Sequence, residues 1–146
     1  MSKIEQLINN KACDLWSVHP DTSVFEAIKL MDEKGIGALL VLLDGNLVGI
    51  FSERDYARKV ILQDRSSRST LVKEIMTRRV FHTFPEQSIE ECMAIMTQHH
   101  IRHLPVVEDG QVIAMVSIGD LVKDIIKEQK YQIEHLEHCI SWSESY

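Results

Sequence analysis

The sequence predicts an α/β (α+β) fold built from tandem, pseudo-symmetric β-α-β-β-α repeats, with extra N-terminal and C-terminal helical segments. Three observations carry that prediction: an ungapped internal duplication, an Asp-Gly pair between two apolar runs in each half, and a Ser-x-x-Glu pattern ahead of each helical stretch. Shifted by 65 residues, positions 18–60 lie on 83–125, and eleven of those 43 pairs are identical, among them Pro20/Pro85, Asp44/Asp109, Gly45/Gly110, Ser52/Ser117 and Asp55/Asp120. Average residue usage would yield about two or three such matches by chance. Each half is therefore read as one supersecondary unit.

The elements follow in order. Residues 2–9 read as a short N-terminal helix. A short strand at 15–18, with its counterpart at 80–83, runs into a turn marked by Pro20 or Pro85. Ser23 and Ser88 stand three residues before Glu26 and Glu91, a capping box that opens a helix. Val24, Ala27, Ile28 and Met31 recur at helical spacing, as do Ile89, Cys92, Met93 and Met96. Gly35 ends the first helix, and His99-His100 occupies the matching stretch of the second. Two apolar runs around Asp44-Gly45, and two around Asp109-Gly110, predict hairpins, because the tight primed turn needs positive φ. A second helix starts at Ser52 and at Ser117. Residues 63–70 (QDRSSRST) form a polar connector. From Lys127 the last helix continues, with Ile133, Leu136 and Ile140 as an apolar stripe that needs cover from a symmetric partner or from the chain's own body. The boundaries so read are 1–14 N-terminal segment, 15–62 first motif, 63–76 connector, 77–127 second motif and 128–146 tail.

Composition narrows the function. With 146 residues, 45% hydrophobic and 26% charged, the chain is the size of one ordinary globular domain and needs neither disulfide nor metal for its core. Its formal charge of −6 argues against a nucleic-acid partner, though not against a small anion held by a local basic cluster. Cys13, Cys92 and Cys139 are odd in number and far apart, without a CxxC pair, which argues against a disulfide framework or a zinc ribbon. The longest apolar run, Ala38–Leu43, is far short of the ~20 residues of a membrane span. With no apolar stretch of signal type near the start, the expectation is a cytoplasmic protein without membrane contact. Walker loop, HExxH, GxGxxG and nucleophile-elbow patterns are missing from the sequence, so no enzymatic activity is expected. His99, His100 and His103 make a poor metal cluster, since adjacent histidines on a helix end point apart and no carboxylate or cysteine lies at ligand spacing. His135, His138 and Cys139, at i, i+3 and i+4, could ligate zinc but read as a solvated helix face, so no metal is expected to be required.

The tandem arrangement, with GALLVLLDGNLVGIFSERD in the first half and IRHLPVVEDGQVIAMVSIGD in the second, resembles the CBS domain pair, or Bateman module. The LWSV near residue 16 and the EQ-x-x-x-IEHLE tail resemble small stand-alone bacterial members. The resemblance implies a non-catalytic regulatory or sensor module. It also implies an adenosyl ligand in the clefts between motifs: AMP, ADP, ATP, NAD(H) or S-adenosylmethionine. A homodimer and a downstream protein that reads the ligand complete the expectation; a structural protein with degenerate clefts is the alternative, and a nucleotide phosphohydrolase ranks lower.

The residues at matching positions suit that chemistry. Asp55 and Asp120 begin helices directly after strands, where an ionised carboxylate can accept both protons of a ribose cis-diol. Ser52 and Ser117 offer hydroxyls beside the amides of a helix start. Ser-x-x-Asp also caps helices with no ligand at all, and the two roles can coexist. Gly119 leaves its backbone open to close approach. Arg54 and Arg58, four apart on one helical face, and Arg102 with His103 are the phosphate candidates, with Arg78, Arg79 and Lys11 weaker ones. Ser17, Val18, His82 and Thr83, with 36–38 (including Gly37 and Ala38) and Ile101–His103, are the walls of an adenine slot by analogy. Trp16 stacks on a base or anchors the core or a subunit contact. Gly37, Ala38 and Leu40 stand where the second half has Arg102, His103 and Pro105, so the two sites should not be equivalent.

Overall fold

A computed structural model of the chain describes residues 2–9 and 15–144, with side chains through Cys139. Lys11, Cys13 and the side chain of Ile140 lie outside the described set. The elements in chain order are α1 (Ile4–Asn9), β1 (Ser17–Val18), α2 (Val24–Lys34), β2 (Ala38–Leu43), β3 (Asn46–Ser52) and α3 (Glu53–Tyr56). They continue with a π-helical turn at Ala57–Ile61, then α4 (Val72–Ile75), α5 (Ile89–His99), β4 (His103–Glu108), β5 (Gln111–Ser117) and α6 (Ile118–Glu144). The chain forms two compact units, one of residues 14–82 with 109–113 and the other of 1–13, 83–108 and 114–146.

In the first unit a three-stranded sheet has the order β1-β2-β3, with β1 parallel to β2 and β3 antiparallel to it. Asp44 (φ 52°) and Gly45 (φ 81°) both take the positive φ of a primed turn, and β2 and β3 pair from Ala38↔Ser52 to Leu43↔Asn46. Helix α2 starts where Ser23 Oγ accepts the Glu26 N–H at 3.2 Å, and ends at left-handed Gly35. Its buried face (Val24, Ala27, Met31) joins Leu39, Val41, Phe51, Val60, Val72, Ile75 and Met76 in one apolar core. Burying each of the larger side chains contributes about 1.5–3 kcal/mol.

The second repeat follows the same plan, with Asp109 (φ 53°), Gly110 (φ 76°) and the Ser88 cap in the matching places. His100 (φ 54°) adopts the left-handed conformation that Gly35 supplies in the first unit. One expected strand is cut down. At 80–83 only Thr83 bridges, to Val106, whereas β1 pairs at both Ser17 and Val18. The cause is Pro105. In the first unit Leu40 N–H donates to Trp16 O at 3.2 Å; Pro105 occupies the equivalent of Leu40 and has no N–H to give.

The two short helices outside the 65-residue register are counterparts of each other. Ile4 N–H donates to Gln87 O and Ile89 N–H to Ser2 O, just as Val72 N–H donates to Thr22 O and Val24 N–H to Thr70 O. Ile4 and Leu7 are buried on α1 as Val72 and Ile75 are on α4. Each helix thus precedes one repeat in sequence and docks on the other. The expected connector at 63–76 is polar only in its first part: Thr70 is buried, and α4 belongs to the core.

After α4 the chain runs along β3. Ile50 and Thr77 exchange backbone hydrogen bonds of 3.0 and 2.8 Å. Gly49 makes this approach possible, because a Cβ there would lie 2.7 Å from Met76 Sδ and 3.0 Å from Thr77 O.

Candidate functional site

Both Ser-x-x-Asp turns are built by the same local bonds. Ser52 Oγ accepts the Asp55 N–H at 3.2 Å while Asp55 Oδ2 accepts the Ser52 N–H at 3.0 Å. Ser117 Oγ accepts the Asp120 N–H at 3.1 Å, and Asp120 Oδ2 accepts the Ser117 N–H at 2.8 Å. These are reciprocal capping boxes, which satisfy two orphan amides at each helix start. A further bond ties each helix start to the entrance of the preceding hairpin: Glu53 N–H to Gly37 O at 3.1 Å, and Ile118 N–H to Arg102 O at 2.8 Å. Gly37, Ala38, Ser52 and Asp55 are thereby gathered in one unit, and Arg102, His103, Ser117 and Asp120 in the other.

The two carboxylates differ in what surrounds them. Asp55 is buried, at 7% exposure. Its Oδ2 also accepts the Ser52 hydroxyl at 3.1 Å, and its Oδ1 accepts Thr77 Oγ1 at 3.0 Å. Lys59 Nζ, one turn along, lies 2.9 Å from the same Oδ1 and donates to Ile75 O at 3.1 Å. Four donors therefore converge on Asp55 from within its own unit. Asp120 is only half-buried, and the residue at the Lys59 position is Asp124. That position therefore supplies a carboxylate where the first unit has an ammonium. Asp124 Oδ2 is instead a buried acceptor without a hydrogen-bond partner. Such an oxygen costs about 1–3 kcal/mol while unsatisfied.

Lys59 and Thr77 were not legible as site residues in the sequence; Asp124 carried a signal, as the acidic residue aligned with Lys59. The remaining candidates scatter. Ser17 is exposed and Val18 half-buried on β1, beside Leu40 and Val41 of β2. Arg54 and Arg58 are exposed, but the π-helical turn that begins at Ala57 removes the α-helical spacing expected to align them. Arg102 and Gly119 are exposed, Ile101 and His103 half-buried, and Pro105 buried within β4. His82 is exposed, while Thr83 is buried and donates to Gln87 Oε1. Arg78 donates to Lys73 O at 3.3 Å, and Arg79 lies over the Phe81 ring. Trp16 packs on the core with the Lys34 ammonium 4.2 Å from its ring centre, which covers a face that base stacking would need. Among the described residues, no group of three or more His, Cys, Asp or Glu side chains could hold a metal. Cys92 is buried beside Thr83 Oγ1, and burial pushes its thiol above the ordinary range.

The duplicated fold and its paired Ser-x-x-Asp turns coincide with a family match: the CBS domain model fits residues 7–62 and again 72–127. The chain belongs to the CBS domain family. It is 42% identical over 127 residues to the mitochondrial CBS domain-containing protein CBSX3 of Arabidopsis thaliana, covering 84% of this chain and 61% of that one. The chain thus spans less than two thirds of that CBS relative. A solved CBS-domain protein of Burkholderia ambifaria is 50% identical with a TM-score of 0.85, covering 88% of this chain and 96% of that one. The CBS domain pair of protein MJ0100, solved in complex with 5′-methylthioadenosine and S-adenosyl-L-methionine, is 25% identical with a TM-score of 0.76, covering 85% and 99%. Both family matches begin upstream of the first strand of a repeat and so include all or part of the swapped helices, α1 in one and α4 in the other. No helix among the described residues is long and apolar enough to cross a membrane.

Proposed function

We propose that this CBS-domain chain is a non-catalytic sensor that binds one adenosyl ligand beside the Ser117–Asp120 turn of its second motif. The observation that carries the reading is the contrast at the two turns: Lys59 and Thr77 hold Asp55, whereas Asp120 is more exposed and shares its helix face with Asp124 and its orphan oxygen. A ribose diol supplies two O–H donors to such acceptors. Arg102, exposed at the hairpin entrance and bonded through its carbonyl to the start of α6, would meet a phosphate of AMP, ATP or NAD(H); His103 and Gly119 would line the approach. The adenosyl compounds bound to MJ0100 support the ligand class, since both carry this ribose.

In this reading Asp55, Ser52, Gly37 and Ala38 serve the fold of the first motif (15–62), and the second (77–127) does the sensing. The protein acts as a homodimer in a reducing compartment, the cytoplasm, in keeping with Cys92 and Cys139 as thiols rather than disulfide partners. Ligand biases the setting of the motifs only by its differential affinity for their two arrangements, and a downstream protein reads the result. Dialysed protein heated with AMP, ATP, NAD or S-adenosylmethionine tests this. At a hundred-fold excess over Kd, the true ligand stabilises by about 2.7 kcal/mol, a shift of several degrees. No shift with any of the four would leave the clefts degenerate and the protein an interaction module.

A further inference from the structure

Beyond the second motif, α6 runs on as a helix that no other described element covers. From Gln129 to Cys139 every side chain is exposed, although Ile133 (55%) and Leu136 (61%) are large and apolar. An isolated helical stretch of this length is marginal in water, so its stability has to come from packing. Val122, Ile126, Gln129, Ile133 and Leu136 follow at alternating steps of four and three, the seam of a two-helix pairing. Val122 and Ile126 are exposed as well.

The charges beside the seam determine what can cover it. Lys123, Lys130, Glu137 and Glu144 recur every seven residues, each just after a seam position or its continuation. The flank is basic in the first half and acidic in the second. Lys127 and Glu134 repeat that polarity on the neighbouring row. We infer that the α6 tail pairs antiparallel with the same segment of a second copy of this chain. Ile133 of one copy then packs on Leu136 of the other, and Lys130 faces Glu137, twice by symmetry. A parallel pair would set Lys130 and Glu137 against Ile125 and Gln132, with no ion pair at either. The inference rests on the homodimer put forward above and adds the surface and the direction.

Sedimentation equilibrium of the full chain tests it. Lys130→Glu and Glu137→Lys should each raise the dimer dissociation constant by roughly ten-fold, since each turns two attractions into two repulsions. The double variant K130E/E137K restores both pairs with their signs exchanged and should return close to the wild-type value. A dimer that neither single variant weakens, or that the double variant weakens more than either, overturns the antiparallel tail while leaving the homodimer. A wild-type chain that stays monomeric overturns both. Circular dichroism keeps the test clean, because both positions are exposed and the fold should be unchanged.

Discussion

Asp120→Ala should weaken binding of the adenosyl ligand by about 1.5–3 kcal/mol, roughly ten- to a hundred-and-fifty-fold in Kd, the range for hydrogen bonds to a charged group. The carboxylate does two jobs in the account. Its Oδ2 closes the capping box on Ser117 N–H, and the group as a whole receives the ribose hydroxyls. Loss of the first costs about 1 kcal/mol of stability. Loss of the second appears only when ligand is present. Calorimetry separates the two, because the variant would still be folded at 25 °C and would bind poorly. Wild-type affinity in this variant would remove Asp120 from the site.

Asp55→Ala should do the reverse. It deletes the acceptor for Ser52 N–H and Oγ, for Thr77 Oγ1 and for Lys59 Nζ, and so unties the helix start from the chain segment laid along β3. Thr77 and the Lys59 ammonium regain water, so the cost falls mainly on the half-buried capping box. The expected loss is about 2–3 kcal/mol, or roughly 5–10 °C in melting temperature. Ligand affinity should remain near wild type. Lys59→Met should cost under about 1 kcal/mol, because that side chain is 45% exposed. Thermal unfolding without ligand checks both values. An Asp55→Ala protein as stable as the parent, but unable to bind, would put the ligand at the first turn instead.

Much of this architecture can be read from local chemistry. Asp44-Gly45 and Asp109-Gly110 can hardly be anything but hairpin turns, and Ser23 and Ser88 mark where their helices begin, because φ and an amide are local matters. The Ser-x-x-Asp turns are legible for the same reason. What escapes the sequence depends on contacts far along the chain. The shortened strand at 80–83 is lost to a missing N–H at Pro105, more than twenty residues away. The equivalence of α1 and α4 is hidden because their spacing is not 65 residues, and because Ile4/Val72 and Leu7/Ile75 share a pattern but no identity. Thr77 reaches Asp55 only because Gly49 admits the backbone beside it. Ser-x-x-Asp alone therefore suggests two equal turns, whereas Lys59 beside one and Asp124 beside the other give them neighbours of opposite charge.

Stoichiometry is the most direct test of that inequality. Dialysed protein titrated calorimetrically with the adenosyl compound that raises its melting temperature should take up one molecule per chain, and Asp55→Ala should leave that number at one. Two molecules per chain, with one lost in Asp55→Ala, would mean that Lys59 and Thr77 yield their carboxylate to ligand, and would contradict the assignment of sensing to the second motif.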